Sequence, residues 1–119
     1  MKLTEIAFFT KDVQGTADFY QALLDSKPVA QSEGMAIFMT GETKIFIHRH
    51  YHAGDGDLPP ENHIAFTVSD VNALCKQLAA QGVSIEVQPA EYYWGKSAYL
   101  RAPDGQLVEL IEGGETKNN

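Results

Sequence analysis

The sequence is poor in several residue types, and each shortage excludes a class of protein. A single cysteine, Cys75, leaves no partner for a disulfide within the chain. Nine Lys and Arg against sixteen Asp and Glu give a formal net charge of −7, and without a basic stripe the chain is not expected to bind nucleic acid. No apolar run approaches the roughly 20 residues of a membrane-spanning helix, and MKLTEIAFFTKD lacks a secretory-signal pattern. We therefore expect a soluble cytoplasmic protein with no nucleic-acid or membrane partner.

The composition that is present suits one folded domain. The 119 residues are 44% hydrophobic and 21% charged, which is enough apolar material for a core. The acidic balance leaves open a cationic ligand, a metal ion, or solubility alone as its reason.

Hydrophobic periodicity predicts the same order of elements twice: a strand, a helix and three strands. The first helix has apolar residues at helical spacing and cannot pass Pro28. The second is expected to begin after Ser69 or Asp70 as N-cap and to end at Gly82. The two halves are related by an offset of 58 residues, which separates Asp12 from Asp70. The predicted strands cover residues 3–10, 28–32, 36–40, 44–50, 62–69, 83–89, 95–102 and 106–112, with helices within 11–28 and at 70–82.

This order predicts an α+β fold, a single domain of two βαβββ modules that form curved mixed sheets. We place the domain at residues 1–113, with module one at 1–52 and module two at 61–113. The loop YHAGDGDLPPE, rich in Gly, Asp and Pro, interrupts the chain between the modules. The tail 114–119 is expected to be frayed.

Side-chain parity predicts where three metal-capable residues point. Residues two apart in a strand share a face, so Glu5 in TEIAFF and His63 in NHIAFTV face away from the helices. The same rule places Glu109 of QLVELIE on the face opposite its helix. If that face is the inside of a curved sheet, the three side chains can converge. One imidazole with two carboxylates suits a divalent ion such as Ni, Zn, Mn, Fe or Mg.

Further side chains are predicted to share this face. Parity in GKSAYLRA places Ser97, Tyr99 and Arg101 there, and the adjoining aromatic run YYW contributes Trp94 to the expected substrate pocket. An alternative is that Glu109 pairs with Arg101 and holds no metal. Cys75, by contrast, lies on the apolar stripe of its helix and is expected in the core.

Three stretches carry a resemblance to a known superfamily. They are EIAFFTKDVQGTADFYQALL, ENHIAFTVSDVNALCKQLAAQGV and YWGKSAYLRAPDGQLVELIE. The chain resembles the vicinal-oxygen-chelate superfamily, which includes glyoxalase I, extradiol dioxygenases, fosfomycin-resistance transferases and bleomycin-binding proteins. The last stretch is the most specific, because family members commonly have an Arg-Asp-Pro-Asp-Gly-like turn there. This chain has RAPDG, so Ala102 replaces the usual acid. The resemblance covers residues 1–113 and implies the fold more strongly than the reaction.

The resemblance implies a ligand set position by position. It places metal ligands at Glu5, His63 and Glu109. Some members add a fourth ligand on the last strand of module one. Aligning the turn at Gly41-Glu42 with the turn at Asp104-Gly105 puts Phe46 at that position, and a phenylalanine cannot bind a metal ion. His48, two residues on and on the same face, is therefore a possible fourth ligand or pocket residue.

The implied function is that of a glyoxalase-type metal-dependent lyase, isomerase or transferase acting on a small oxygen-bearing substrate. The metal would act as a Lewis acid, and Glu109 or Glu5 could leave it to serve as the catalytic base. Extradiol dioxygenase activity is disfavoured because Glu5 replaces a histidine of the usual triad. Fosfomycin transfer is disfavoured because Pro89, Tyr92 and Tyr93 occupy positions that should be basic. Glyoxalase I activity on glutathione adducts is not predicted, because such enzymes are usually longer and carry basic groups for glutathione.

The alternative function is a metal-free protein of the bleomycin-resistance type that sequesters a cationic or aromatic compound. The acidic charge and the YYW cluster favour it, because aromatic faces hold cations and flat rings. A third possibility is a domain that binds some other cellular metabolite. For assembly, the resemblance favours a two-fold homodimer with sites shared between subunits, in which Glu5 of one chain meets His63 and Glu109 of the other.

Overall fold

A computed structural model of the chain describes residues 1–52 and 58–113. Part of the predicted loop, residues 53–57, and the predicted frayed tail, residues 114–119, lie outside the described residues. The elements follow the order predicted from the sequence, so the α+β fold class with two βαβββ modules is confirmed. They are β1 (Lys2–Thr10), α1 (Val13–Leu24), β2 (Ala30–Gln31), β3 (Met35–Thr40), β4 (Thr43–Arg49), β5 (His63–Val68), α2 (Val71–Ala80), β6 (Ser84–Tyr92), β7 (Gly95–Arg101) and β8 (Leu107–Glu112).

The chain divides into two compact units. The N-terminal unit spans residues 5–62, and the C-terminal unit begins at His63 and includes residues 1–4. No helix within 1–52 and 58–113 is long and apolar enough to cross a membrane.

The N-terminal unit packs α1 on a mixed sheet. Its strands lie in the order β2-β3-β4-β1, with β1 parallel to β4 and the other neighbours antiparallel. Phe8 packs towards the helix, whereas Phe9 on the other face contacts aromatic rings, and this alternation follows from the period of two along a strand. The core consists of Val13, Ala17, Ala36, Phe38, Ile45 and Ile47, with Phe8, Tyr20 and Leu24 packed against it.

Helix α1 begins and ends at aspartates. The Asp12 side chain caps the first turn by accepting a hydrogen bond from the Gly15 amide at 2.8 Å. A Cβ atom at Gly15 would lie 2.2 Å from Asp12 Oδ2, so a larger residue there would push the capping side chain aside. Asp25 ends the helix in the left-handed region, with φ of 51°, three residues before Pro28, where the sequence forbids helix.

The C-terminal unit repeats this plan with α2. Its strands lie in the order β5-β8-β7-β6, and β5 runs parallel to β8. Asp70 is the N-cap and accepts from the Ala73 amide at 3.0 Å. Gly82, with φ of 89°, follows the helix, and the Gly82 and Val83 amides donate to the Ala79 and Leu78 carbonyls, the paired bonds of a Schellman cap. The core consists of Val68, Val71, Cys75, Ala98 and Leu110, with Phe66, Leu74, Leu78, Ile85 and Leu100 against it.

Strand β6 is longer than the sequence predicted. The sequence predicts a strand over residues 83–89, but β6 continues to Tyr92 and forms a hairpin in which Tyr92 pairs with Gly95. Pro89 is tolerated because the β6–β7 pairing shifts register between Val87 and Ala90, and β6 lies at the end of its unit's strand order. The hairpin brings the aromatic run YYW to a two-residue turn.

Candidate functional site

A buried imidazole and a buried carboxylate meet on two neighbouring strands of the C-terminal unit. In the β5–β8 register His63 lies opposite Leu107 and Ala65 lies opposite Glu109, so His63 and Glu109 are diagonal neighbours on one face. His63 Nε2 lies 3.3 Å from Glu109 Oε1. Only 7% of His63 and 3% of Glu109 is exposed. The predicted parity therefore holds for these two residues, and both point away from the α2 core.

The chemistry of this pair fits a shared cation. A carboxylate oxygen carries only lone pairs, and a neutral imidazole nitrogen without a proton does too. Two such atoms facing each other in a buried place require either a proton or a metal ion between them. The donor set of imidazole and carboxylate is one that divalent transition metals accept, and each residue offers one ligand atom.

A serine and a tryptophan hold the other oxygen of Glu109. Ser97 Oγ donates to Glu109 Oε2 at 2.9 Å, and Trp94 Nε1 donates to Ser97 Oγ at 2.8 Å. Ser97 has no exposed surface, whereas Trp94 is 37% exposed. The hydrogen bonds thus run from a side chain at the surface to a buried carboxylate.

One tyrosine ring lies beside His63, and another lies on Trp94. The Tyr99 ring lies 5.9 Å from the His63 ring in an edge-on arrangement, and Tyr99 pairs with Glu109 in the β7–β8 register. Tyr92 stacks on Trp94 at 4.7 Å with 8° between the ring planes. Burial, and to a lesser extent the charge of Glu109, raises the pKa of Tyr92 above its ordinary value, so Tyr92 is a neutral hydroxyl at physiological pH.

Arg101 binds away from the carboxylate that the sequence offered as its partner. Its guanidinium pairs with Glu86 on β6 and donates from Nη1 to the Gly105 carbonyl at 2.9 Å. The hydrogen bond from Arg101 lowers the pKa of the Glu86 carboxyl. Glu109 is instead held by Ser97 and His63, as described above.

The N-terminal unit holds the remaining predicted site residues. Glu5 lies opposite Lys44 in the β1–β4 register, with Lys44 Nζ 3.5 Å from Glu5 Oε1 and the Glu5 side chain 14% exposed. Phe46 and His48 belong to one aromatic group, with ring centroids 5.5 Å apart, and Phe9 also contacts His48. His48 Nδ1 lies 2.7 Å from its neighbouring Arg49 carbonyl.

Sequence reasoning missed the hydrogen bonds that join Trp94, Ser97 and Glu109. Parity placed Ser97 on the correct face but gave no partner for its hydroxyl. The missing information was the hairpin, since only a β6 that reaches Tyr92 folds Trp94 back over Ser97. To predict this hairpin, the sequence would have needed typical turn residues at Tyr93 and Trp94, and neither tyrosine nor tryptophan is one.

Comparison with known proteins gives a family match over most of the chain. The profile of the Glyoxalase/Bleomycin resistance protein/Dioxygenase superfamily matches residues 2–110. Glyoxalase I of Saccharomyces cerevisiae is 36% identical over 64 residues, which is 51% of this chain and 20% of that protein. A lactoylglutathione lyase of Pseudomonas aeruginosa is 34% identical over 62 residues, 52% of this chain and 35% of that protein. The matched stretches thus span about a third or less of these relatives.

Solved structures share the fold. Methylmalonyl-CoA epimerase of Streptomyces coelicolor superimposes with a TM-score of 0.63 at 18% identity, covering 95% of this chain and 97% of that one. At this identity the likeness concerns the fold.

Proposed function

We propose that this chain, which belongs to the Glyoxalase/Bleomycin resistance protein/Dioxygenase superfamily, is a metal-dependent lyase, isomerase or transferase of the glyoxalase type. Its substrate is a small molecule with oxygen atoms near the reacting carbon. The observation that carries the proposal is the buried pair of His63 and Glu109, whose facing atoms are 3.3 Å apart. The partial matches to glyoxalase I and a lactoylglutathione lyase support the same class of reaction.

The metal ligands that we propose are Glu5, His63 and Glu109. His63 and Glu109 present their donor atoms on one face of the C-terminal unit, and Glu5 occupies the position in module one that is 58 residues before His63. A divalent ion bound there would supply Lewis-acid polarisation of a substrate oxygen. His48 is a possible additional ligand or pocket residue, together with Phe46.

The carboxylates of Glu109 and Glu5 lie in different surroundings, and we assign them different roles for that reason. Glu109 is fixed, since one oxygen accepts from Ser97 and the other faces His63. Glu5 lies 3.5 Å from Lys44 Nζ, and its side chain is 14% exposed, against 5% for the side chain of Glu109, so Glu5 is the more accessible of the two carboxylates. We therefore assign Glu109 mainly to holding the site and Glu5 to taking and returning a substrate proton. Tyr99, beside His63, would line the substrate pocket.

A second function is favoured by the aromatic hairpin, namely sequestration of a cationic or flat aromatic compound without metal. Tyr92 and Trp94 stack on one another, and Tyr93 at the turn is 98% exposed. Exposed aromatic faces attract cations and flat rings, and the net charge of −7 favours a cationic partner.

Metal content separates the two functions. The metalloenzyme proposal predicts a divalent metal in the purified protein by elemental analysis. It also predicts a melting temperature that rises on the order of 10 °C when metal is added to about a hundredfold above its dissociation constant. A protein purified without metal whose melting temperature does not respond to Ni, Zn, Mn, Fe or Mg would overturn the proposal and leave the sequestering function.

A further inference from the structure

Ser97 occupies a position from which it controls one oxygen of Glu109. In the β7–β8 register Ser97 lies opposite Ile111, and Tyr99 lies opposite Glu109. Ser97 is therefore the diagonal neighbour of Glu109 on the same face, within reach of its side chain. The contact between Ser97 Oγ and Glu109 Oε2 is 2.9 Å in a place where Ser97 has no exposed surface.

The direction of the hydrogen bonds is fixed by chemistry. An indole N–H can only donate, so Trp94 must give its proton to Ser97 Oγ. The single hydroxyl proton of Ser97 is then available for Glu109 alone. Successive bonds of this kind polarise each other, and water that could compete is excluded around Ser97. Glu109 Oε2 is thus held as an acceptor, and Oε1 is the oxygen that faces His63.

The hairpin fixes the tryptophan. Tyr92 pairs with Gly95 across the β6–β7 turn, and the Trp94 ring lies on the Tyr92 ring. This stack orients the indole so that Nε1 points inward while part of the ring stays exposed.

We infer that Ser97 and Trp94 are positioning residues for Glu109. Their hydrogen bonds hold Glu109 Oε2 as an acceptor, so that only Oε1 faces His63 and is available to a metal ion. The inference rests on the proposed function, because it says how that site is held in shape. It also assigns the aromatic hairpin a role in orienting Glu109, in addition to any contact with substrate.

The chain contains one tryptophan, so a single indole N–H resonance in a ¹H–¹⁵N NMR spectrum reports on these bonds without metal. We expect Ser97→Ala to shift this resonance and to speed its exchange with solvent. Glu109→Gln should also shift it, through Ser97, although Glu109 does not touch the indole in the described hydrogen bonds. Glu86→Gln is the matched control, because it makes the same chemical change on β6 and should leave the resonance in place.

Metal affinity gives the second measurement. Removing an outer partner of a ligand typically weakens metal binding about 10–100-fold, so Ser97→Ala should weaken Ni²⁺ binding to that degree, and Ser84→Ala, an exposed serine on β6, should not. Trp94→Phe keeps the ring stack and removes the donor, so it should also weaken Ni²⁺ binding, and it serves if Ser97→Ala fails to fold.

The two measurements fail separately. An indole resonance that ignores both Ser97→Ala and Glu109→Gln overturns the inference. Unchanged Ni²⁺ affinity in folded Ser97→Ala and Trp94→Phe overturns it too. If the wild-type protein binds none of Ni, Zn, Mn, Fe or Mg while the resonance responds as expected, the positioning of Glu109 stands and the metal-dependent function fails.

Discussion

At the scale of single residues, the site depends on two buried side chains, since His63 Nε2 lies 3.3 Å from Glu109 Oε1. Alternation along the strands sufficed to place His63 and Glu109 on one face, because the period of two leaves no other choice once the helix face is known. Partners depend on side-chain reach and on turns. The sequence allows Arg101 to pair with Glu109, yet in the structure Arg101 pairs with Glu86 and the Gly105 carbonyl.

The single cysteine gives a clean residue-scale prediction. Cys75 is 5% exposed in the α2 core, and burial raises the pKa of its thiol. Because the thiolate is the reactive form, the native protein should react with a thiol reagent at neutral pH far more slowly than the urea-unfolded protein. The measurement is the labelling rate by mass spectrometry. Native labelling as fast as that of the unfolded chain would show that Cys75 is not in the core.

At the scale of elements, helices and strands were predicted where local chemistry decides them. Asp70 as N-cap and Gly82 after α2 were both predicted, because capping and the left-handed conformation depend on a few adjacent residues. The predicted end of β6 at residue 89 was wrong, because the strand shifts register between Val87 and Ala90 and continues past Pro89 to Tyr92. Without that hairpin, the hydrogen bond between Trp94 and Ser97 could not be predicted.

The packing of each helix on its strands can be tested at Phe38. Its side chain is fully buried in the α1 core, so Phe38→Ala should reduce the free energy of unfolding by about 3–5 kcal/mol. Phe19→Ala is the matched control, because Phe19 is 59% exposed on α1, and a surface substitution usually changes stability by about 0.5 kcal/mol or less. Urea titrations of both variants make the measurement. Equal midpoints would contradict the assignment of the core.

At the scale of the whole molecule, the βαβββ repeat could be predicted from the 58-residue offset in the sequence, and the order of elements in the structure confirms it. The assembly could not be predicted in this way, because the sequence of two modules does not say whether they pair within one chain or between two chains. The family resemblance favours a homodimer in which Glu5 of one protomer meets His63 and Glu109 of its partner, and this stays a prediction.

Subunit exchange tests that assembly. A Glu5→Ala variant is mixed with a His63→Ala variant under conditions that exchange protomers. If sites are shared, each heterodimer carries both lesions in one site and has the other intact, so metal binding returns in mixtures though neither variant binds alone. Binding that stays absent after exchange is confirmed by mass, or a monomer in sedimentation at micromolar protein, would rule out shared sites.

The central claim is that His63 and Glu109 form part of a divalent-metal site, and calorimetric titration of His63→Ala tests it most directly. Wild-type protein should bind one divalent ion per chain. The His63→Ala variant should show no binding while its unfolding transition stays unchanged. His50 is an exposed histidine, so His50→Ala is the matched control and should bind the ion as the wild type does. A folded His63→Ala protein that binds one ion per chain with wild-type affinity would contradict the claim.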